Sequence, residues 1–473
     1  MLFTSFAFYV LVLATLTLYY LPAVRRWQTA LLVLASFVFY GSNQPWLVLL
    51  LALSCAINAG ASYAVAWAPG DLGARVFAVV GVAANLGLLA FFKYAKLLAA
   101  LFVPGLGISD PIGMFILHLP LPIGISFFTF QGISLVVDTF RGRSRSSWNH
   151  PLSRSFLRHL LDVSFFKSFF PQLVAGPIVK AHEFLPQIRP KFLDDVNWLR
   201  AFRLLILGYF LKAVVADNLN SQTAFLTGDL YYGYSSVNLI ALLFGYSAQI
   251  FADFAGYSLI AQGVAELFGY RLPENFRFPY LSRSLSEFWT RWHISLSSWL
   301  REYLYVPLGG NRKGRLRTYG NLLVVMVLGG LWHGAGWNYA LWGAWHGVLL
   351  VLERALGWNR PSGSDPLWVR AVQTTVVFLV VSFAWLLFKL PTVESVLHFL
   401  WLVKENWGHP VSLTPLAIVA VYSLPVIAYH VHALVRPNRP NVPPLWEAVV
   451  FGVMAFMIAT NSGASSAFIY FQF

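Results

Sequence analysis

The sequence predicts an all-α protein that crosses a membrane many times. Of its 473 residues, 58% are hydrophobic and only 11% are charged. Apolar runs long enough for a spanning helix, which needs roughly 20 residues, recur along nearly the whole chain. Because these runs alternate with short polar loops, a membrane β-barrel is excluded. We expect about ten to twelve transmembrane helices, with re-entrant and interfacial helices among them.

The apolar runs place the predicted helices in order along the chain. They lie near residues 2–22, 28–41, 45–66, 76–102, 116–139, 155–176, 200–216, 236–266, 320–333, 338–356, 369–389, 412–431 and 444–462. The first run lacks a basic leader and a small-residue cleavage site, which favours a retained helix over a signal peptide. Arg25 and Arg26 follow it, and under the positive-inside bias this basic pair predicts an extracytoplasmic N-terminus.

The net charge of +14 comes largely from short basic loops. Examples are residues 141–158 and 301–317. Cytoplasmic loops of membrane proteins have this composition, so nucleic-acid binding is not expected. The single cysteine, Cys55, excludes an intrachain disulfide.

Two stretches are more polar than the rest. Residues 177–199 mix charged and apolar side chains, which suits an interfacial helix. In the long polar region 268–318, a helix would align Arg283, Glu287 and Arg291 as paired charges. The alternative for this trio is a solvated helix face.

Two histidines are the candidate catalytic residues. His333 lies in Trp332-His-Gly-Ala-Gly-Trp-Asn338, inside a long apolar run, where a histidine needs a polar partner or a water-filled cavity. Its flanking glycines would let a backbone or a ligand approach closely. His293 lies about forty residues upstream in a polar, aromatic segment. The pair favours proton transfer on a substrate that enters the membrane; the alternative for His333 is a structural histidine bonded to a helix carbonyl.

Other catalytic motifs are incomplete. Gly309–Leu316 has the glycine spacing of a phosphate-binding loop but lacks its lysine and its hydroxyl residue. His182 begins a pattern similar to that of zinc proteases, but Pro186 occupies the place of the second histidine. His333 and His346 fit no common zinc spacing, and the sequence has no Gly-x-Ser-x-Gly elbow. We expect neither a metal site nor a serine hydrolase.

Three long motifs resemble the signature of the membrane-bound O-acyltransferase (MBOAT) family. They read Arg283-Ser-Leu-Ser-Glu-Phe-Trp-Thr-Arg-Trp-His-Ile-Ser-Leu-Ser297, Trp299-Leu-Arg-Glu-Tyr-Leu-Tyr-Val-Pro-Leu-Gly-Gly-Asn-Arg312 and Gly329-Gly-Leu-Trp-His-Gly-Ala335. Two more, Phe170-Pro-Gln-Leu-Val-Ala-Gly-Pro-Ile178 and Phe254-Ala-Gly-Tyr-Ser258, are similar to the bacterial branch that includes the alginate O-acetyltransferase membrane subunit. The resemblance is strong over residues 120–350 and looser elsewhere.

The resemblance implies one membrane domain, residues 1–473, whose helices surround a central tunnel. Its parts would be N-terminal helices 1–115, a catalytic core 116–356 and C-terminal helices 357–473. His333 matches the catalytic histidine of the family, and His293 matches a second polar position that is frequently required. Acetyl-coenzyme A would enter from the cytoplasm and a hydroxyl acceptor from the other side. A neutral imidazole could then act as base, because burial disfavours its charged form.

The resemblance also suggests binding residues around the tunnel. Arg312, Lys313 and Arg315 would hold the coenzyme A phosphates through charge-assisted bonds; the alternative is a positive-inside topology anchor. Candidate tunnel-lining residues are Trp332, Asn338 and Asp253.

The last residues, Phe468-Ile-Tyr-Phe-Gln-Phe473, resemble a tyrosine-containing C-terminal motif of transferases in the family. This resemblance implies that Tyr470 relays the acyl group. A phenyl ester stays activated because phenoxide, with a pKa near 10, is a good leaving group. The alternative is an aromatic belt at the membrane surface.

The expected function is acetylation of an exopolysaccharide or cell-envelope glycan from the bacterial inner membrane. The expected partners are membrane lipid, the acyl donor, the glycan acceptor and an extracytoplasmic acetyltransferase similar to serine hydrolases. Two alternatives stay open. One is an enzyme similar to D-alanyl transferases, with a carrier-protein thioester as donor. The other is a non-catalytic acyl transporter or flippase, although no internal repeat supports a transporter.

Overall fold

The computed structural model describes residues 1–42, 44–95, 97, 121–144, 152–174, 176–226, 229–435, 444–466 and 468–469. In these ranges the regular structure is helical, and extended pairing is limited to an isolated antiparallel bridge between Phe276 and Trp292. The predicted all-α class is confirmed. Backbone packing divides the chain into two compact units, Met1–Leu205 with Ile260–Pro273, and Ile206–Leu259 with Glu274–Phe473.

The α-helices of the first unit correspond to the predicted N-terminal spans. In chain order they are α1 (Phe6–Tyr19), α2 (Gln28–Gly41), α3 (Leu47–Trp67), α4 (Asp71–Leu89), α5 (Ile125–Ser144), α6 (Phe156–Ser168), α7 (Phe170–Leu173), α8 (Ala181–Phe184) and most of α9 (Trp198–Tyr209). Asn58 of α3 and Asn85 of α4 exchange amide hydrogen bonds of 3.1 and 2.8 Å. Such polar pairs hold membrane helices together because lipid offers them no partner.

The α-helices of the second unit include the predicted catalytic segments. They are α10 (Asp217–Thr223), most of α11 (Ser236–Leu267), α12 (Leu285–Arg291), α13 (Ile294–Leu300), α14 (Arg315–His333), α15 (Trp337–Ala355), α16 (Leu367–Lys389), α17 (Val393–Glu405), α18 (Leu413–Val435) and α19 (Pro444–Thr460). α14 packs tightly on α15. A Cβ atom at Gly343 would meet the main chain of Met326 and Val327, so only glycine permits this approach.

Tighter and wider helical turns extend or join the α-helices. Turns of 3-10 helix lie at Pro22–Trp27, Leu185–Gln187, Leu193–Asp195, Ala224–Leu226, Asp229–Gly233, Pro279–Leu281 and Asn406–Gly408. π-Helical turns lie at Ala90–Tyr94, Phe210–Ala216 and Arg301–Tyr305. Turns of the π type occur frequently at functional sites, and two of these three carry residues discussed below.

Each predicted apolar segment overlaps a helix of the structure. Within the described ranges, the helices that are long and apolar enough to cross a membrane are Leu47–Trp67, Asp71–Tyr94, Ser236–Leu267, Leu367–Lys389 and Leu413–Leu434. Phe6–Tyr19 and Pro22–Gly41 qualify only as a pair, which is bent by 105°. The chain is therefore a multi-pass membrane protein. The expected number of ten to twelve crossings also counts shorter and more polar helices, and it stays a prediction.

Residues 177–199 differ from the single interfacial helix expected for them. They form short helical turns at Ala181–Phe184, Leu185–Gln187 and Leu193–Asp195. Pro186 and Pro190 explain the interruption, because proline lacks the N–H that a continuing helix needs and its ring clashes with the preceding turn.

The expected charge alignment in the region 268–318 is found for two of its three residues. Nη2 of Arg291 lies 2.7 Å from Oε1 of Glu287, as the spacing predicts. The guanidinium of Arg283 lies 3.6 Å from Oδ2 of Asp365 instead. Ser284 caps the N-terminus of α12, which leaves Arg283 outside the helix and directs its side chain elsewhere.

Candidate active site

His333 is the last residue of α14, where the chain turns into α15. Three residues join the two helices, and the close packing of the helices fixes this turn. The His333 ring lies 5.2 Å from the ring of Trp342 and 5.2 Å from that of Phe388. His333 is 5% exposed. The turn therefore holds the imidazole in an aromatic, largely desolvated environment.

His293 lies between α12 and α13 and has a left-handed backbone conformation, with φ 45° and ψ 52°. This conformation is uncommon for residues with a side chain and is often retained at functional sites. Asn275 supports it: its carbonyl accepts the Ile294 N–H at 3.0 Å, and its Oδ1 lies 3.3 Å from Nδ1 of His293. Burial lowers the pKa of His293 to about 3, so the ring is neutral at physiological pH.

The two histidines lie in one aromatic cluster of the second unit. Their ring centroids are 6.4 Å apart. The ring of Trp332 lies 5.0 Å from His333 and 6.0 Å from His293. Folding thus joins two imidazoles that the sequence separates by about forty residues.

A cavity of about 260 Å³ lies beside His333 in the second unit. Its lining is mostly apolar and includes Trp289, Leu296, Leu300, Tyr305, Val325 and Trp342. Among the described residues, His333 is the histidine that lines it, whereas His293 is fully buried. Pockets that enclose a whole drug-sized ligand measure roughly 300–1,000 Å³. This cavity therefore suits the reacting end of a donor more than an entire cofactor.

Two basic residues, Arg301 and Arg354, also line the cavity in the described part of the chain. Arg301 begins the π turn Arg301–Tyr305. Arg354 lies in the last turn of α15, where the adjacent Glu353 accepts the main-chain N–H of Leu285 at 2.7 Å and so attaches the start of α12. Arg354 is not among the residues that the sequence predicts for the site. The only available signal was a basic residue at the end of the predicted span 338–356.

The predicted donor-binding residues lie elsewhere than the cavity beside His333. Arg312, Lys313 and Arg315 are all exposed, in the loop before α14 and at its first residue. They are outside the lining of the described cavity. Their positions suit a surface role, and contact with a donor would require its outer part to extend beyond the cavity.

The predicted tunnel-lining residues are buried. Trp332 contacts both histidines, as described above. Nδ2 of Asn338 donates to the Leu390 carbonyl at 3.4 Å, and Oδ1 of Asp253 lies 2.8 Å from Nζ of Lys212. All three lie outside the lining of the described cavity. Among the residues that the structure describes, no group of three His, Cys, Asp or Glu side chains is arranged to hold a metal ion.

Tyr470 lies outside the described residues. Phe468 and Ile469, which precede it, are buried. The Phe468 ring lies 5.8 Å from that of Phe254, and the Phe254 ring lies 4.6 Å edge-on from that of His293. The C-terminal segment therefore reaches the aromatic surroundings of the histidine pair.

Comparisons with known proteins give the following similarities. Residues 129–361 match the sequence model of the membrane-bound O-acyltransferase family. The chain is 38% identical over 403 residues to a probable alginate O-acetylase (AlgI) of Pseudomonas putida, covering 82% of this chain and 77% of that protein. It is 36% identical over 387 residues to a peptidoglycan O-acetyltransferase of Helicobacter pylori, with coverage of 78% and 72%. It is 29% identical over 314 residues to a teichoic acid D-alanyltransferase of Streptococcus thermophilus, with coverage of 60% and 70%.

Proposed function

The chain belongs to the membrane-bound O-acyltransferase family and is an O-acyltransferase, and we propose that it transfers acetyl from acetyl-coenzyme A to a hydroxyl group for cell-envelope glycan acetylation. His333 is the proposed general base. The observation that carries this proposal is the His333 imidazole in the wall of an apolar cavity, with a second histidine ring 6.4 Å away. The relatives named as alginate and peptidoglycan O-acetyltransferases support acetyl as the group transferred.

In the proposed reaction, the acceptor hydroxyl oxygen attacks the carbonyl carbon of the thioester. His333 takes the hydroxyl proton as the C–O bond forms, a step that contributes typically about 10²–10⁴-fold to a rate. The tetrahedral intermediate collapses by breaking the C–S bond, and the leaving thiolate takes the proton from His333. One ester and one thiol replace one thioester and one alcohol. The apolar walls exclude water and strengthen the electrostatic interactions of the reacting groups.

His293 is proposed to position the site. Its Nδ1 donates to the Asn275 side-chain oxygen, which leaves the imidazole lone pair on Nε2. Through Trp332, whose ring lies within 6.0 Å of both histidine rings, it supports the aromatic wall that orients His333.

For the donor, we propose that Arg301 and Arg354 bind the coenzyme A phosphates at the mouth of the cavity. Both line the cavity that contains His333, and guanidinium groups form strong charge-assisted bonds with phosphate. Arg312, Lys313 and Arg315 would then contact the outer part of the donor or only anchor the loop at the membrane surface.

Substitution of Arg301 or Arg354 by glutamine is expected to raise the KM for acetyl-coenzyme A by about 10- to 100-fold, with a smaller effect on kcat. The reason is the loss of a charged hydrogen bond, which contributes about 1.5–3 kcal/mol. The measurement is acetyl transfer from radiolabelled acetyl-coenzyme A in membranes. Arg277→Gln is the control, since Arg277 is exposed and pairs with Glu274. An unchanged KM in both variants would exclude this donor site.

A D-alanyl transfer reaction is the second candidate, supported by the similarity to a teichoic acid D-alanyltransferase. Its donor would be a carrier-protein thioester. Purified protein in vesicles distinguishes the two functions when it receives either radiolabelled acetyl-coenzyme A or a D-alanyl carrier protein, together with a glycan acceptor and the extracytoplasmic acetyltransferase. Incorporation of acetyl supports the leading proposal. Incorporation only from a D-alanyl carrier protein supports the second.

We further propose that acetyl leaves the site through Tyr470 and passes to an extracytoplasmic acetyltransferase similar to serine hydrolases, which acetylates the glycan. Two observations support this route. Residues 468–473 are rich in aromatic side chains and include Tyr470, and Phe468, two residues earlier, lies in the aromatic cluster of His293.

The N-terminus is proposed to be extracytoplasmic, in the bacterial inner membrane, with Arg25 and Arg26 inside. α1 has 14 residues, so it is about 21 Å long, shorter than a hydrocarbon core of about 30 Å. In a Cys55→Ser background, an impermeant thiol reagent added outside is expected to label Ser5→Cys and to leave Arg26→Cys unlabelled. Labelling of Arg26→Cys from outside would contradict this orientation.

A further inference from the structure

We propose that a buried ionic cluster of Lys212, Asp217 and Asp253 positions the C-terminal segment for acyl transfer. The inference rests on the proposed function, because it concerns the segment that leads directly to Tyr470. The three residues are assigned as positioning residues: they act through Ser466 and Ile469 and contact no substrate.

The cluster joins three elements of the second unit. Lys212 lies in the π turn Phe210–Ala216, Asp217 begins α10, and Asp253 lies in α11. Nζ of Lys212 is 2.8 Å from Oδ1 of Asp217 and 2.8 Å from Oδ1 of Asp253. The three side chains are 0%, 2% and 5% exposed, respectively. Buried charges of this kind are costly unless further hydrogen bonds satisfy them.

The C-terminal segment supplies these further hydrogen bonds. Nζ of Lys212 donates to the Ser466 carbonyl at 3.1 Å, and Oγ of Ser466 donates to Oδ1 of Asp217 at 2.6 Å. The main-chain N–H of Ile469 donates to Oδ2 of Asp253 at 2.9 Å. Each charged residue of the cluster thus binds Ser466 or Ile469. Each of these bonds has an ionised partner, which makes it stronger than a neutral one.

Ring contacts connect the bound segment to His293. Between its two anchored ends, Phe468 packs on Tyr257, with ring centroids 4.2 Å apart, and on Phe254 at 5.8 Å. Phe254, the residue after Asp253, lies 4.6 Å from His293. Asp253 therefore fixes the residue before Tyr470, while its neighbour in α11, Phe254, contacts His293. Apolar side chains of similar volume are often at least as stabilising as a buried ion pair, so stability alone does not explain charges at this place.

The first test measures the position of the segment without using activity. Ile469→Cys in a Cys55→Ser background is expected to react slowly with a thiol reagent, because Ile469 is buried. Adding Asp253→Asn is expected to raise the labelling rate about 10- to 100-fold, the effect of losing a charged hydrogen bond. Lys212 and Ile469 contact different carboxylate oxygens of Asp253, whereas asparagine has one acceptor oxygen and a donor NH2 group in their place. The double-substituted parent must retain acetyl transfer.

The second test separates positioning from general damage. Asp253→Asn is expected to lower kcat for glycan acetylation at least tenfold, with an unchanged KM for acetyl-coenzyme A. Ile469→Pro removes the same hydrogen bond from the other side and should give the same result. The two changes combined should cost less than the sum of their separate effects, because both delete the hydrogen bond between Ile469 and Asp253. Ala464→Pro, at an exposed position two residues before Ser466, is the control for introducing proline.

Several results would overturn the proposal. It is wrong if Asp253→Asn leaves the labelling rate unchanged, whatever happens to activity, or if the two substitutions have additive effects. If Asp253→Asn cannot be purified as a monodisperse protein, Ile469→Pro decides the question, because it leaves the three charges intact. Absence of acetyl transfer in the unsubstituted protein would contradict the proposed function instead, and the labelling experiment would still test the cluster.

Discussion

Replacing His333 with alanine is expected to lower acetyl transfer about 10²–10⁴-fold, the usual effect of losing a general base. The protein should remain folded, because His333 ends α14 and its side chain borders a cavity. The KM for acetyl-coenzyme A should change little, since the proposed phosphate contacts belong to Arg301 and Arg354. The measurement is acetyl incorporation into glycan in the presence of the extracytoplasmic partner, at matched amounts of monodisperse protein.

Two further variants make the His333 experiment specific. His432→Ala, at an exposed position of α18, is expected to retain wild-type transfer and controls for the loss of a histidine. His293→Ala is expected to impair transfer through positioning, and its effect should not add fully to that of His333→Ala, because the two rings lie in one cluster. Transfer near the wild-type rate in the His333→Ala protein would contradict its assignment as base.

Replacing Tyr470 with phenylalanine is expected to reduce glycan acetylation to background. The substitution keeps the aromatic ring and removes only the hydroxyl that would accept the acyl group. In single-turnover conditions, less acetyl-coenzyme A should be consumed, because the part of the reaction that yields acetyl-tyrosine is absent. The check is mass spectrometry of the C-terminal peptide, together with glycan acetylation in the presence of the extracytoplasmic partner.

The Tyr470 experiment separates a relay from a membrane anchor. Tyr63→Phe, which removes a hydroxyl bound to the Arg154 carbonyl in the first unit, serves as the matched control and should retain activity. A membrane anchor needs the aromatic ring of Tyr470 but not its hydroxyl group. Normal acetylation by Tyr470→Phe, together with no acetyl-tyrosine in the unsubstituted protein, would therefore support the aromatic belt. The same result would exclude the relay.

The sequence predicted local features of the fold reliably. Each apolar run overlaps a helix of the described residues, because run length and loop polarity are properties of contiguous residues. The predictions were wrong where the same local sequence is compatible with more than one conformation. Residues 177–199 have the composition of an interfacial helix, yet their prolines divide it into short turns. Arg283 has the spacing to pair with Glu287, but the cap at Ser284 leaves it outside the helix.

For the site, the sequence was sufficient to select His333 and His293 one at a time and to indicate the family, because long contiguous motifs carry that information. It did not indicate Lys212 as the partner of Asp253, or Arg354 as a cavity residue. These contacts join residues far apart in the chain. A membrane helix is apolar on nearly all sides, so its hydrophobic pattern does not mark which face meets another helix. Helix packing alone brought the two histidine rings within 6.4 Å and placed one of them in a cavity wall.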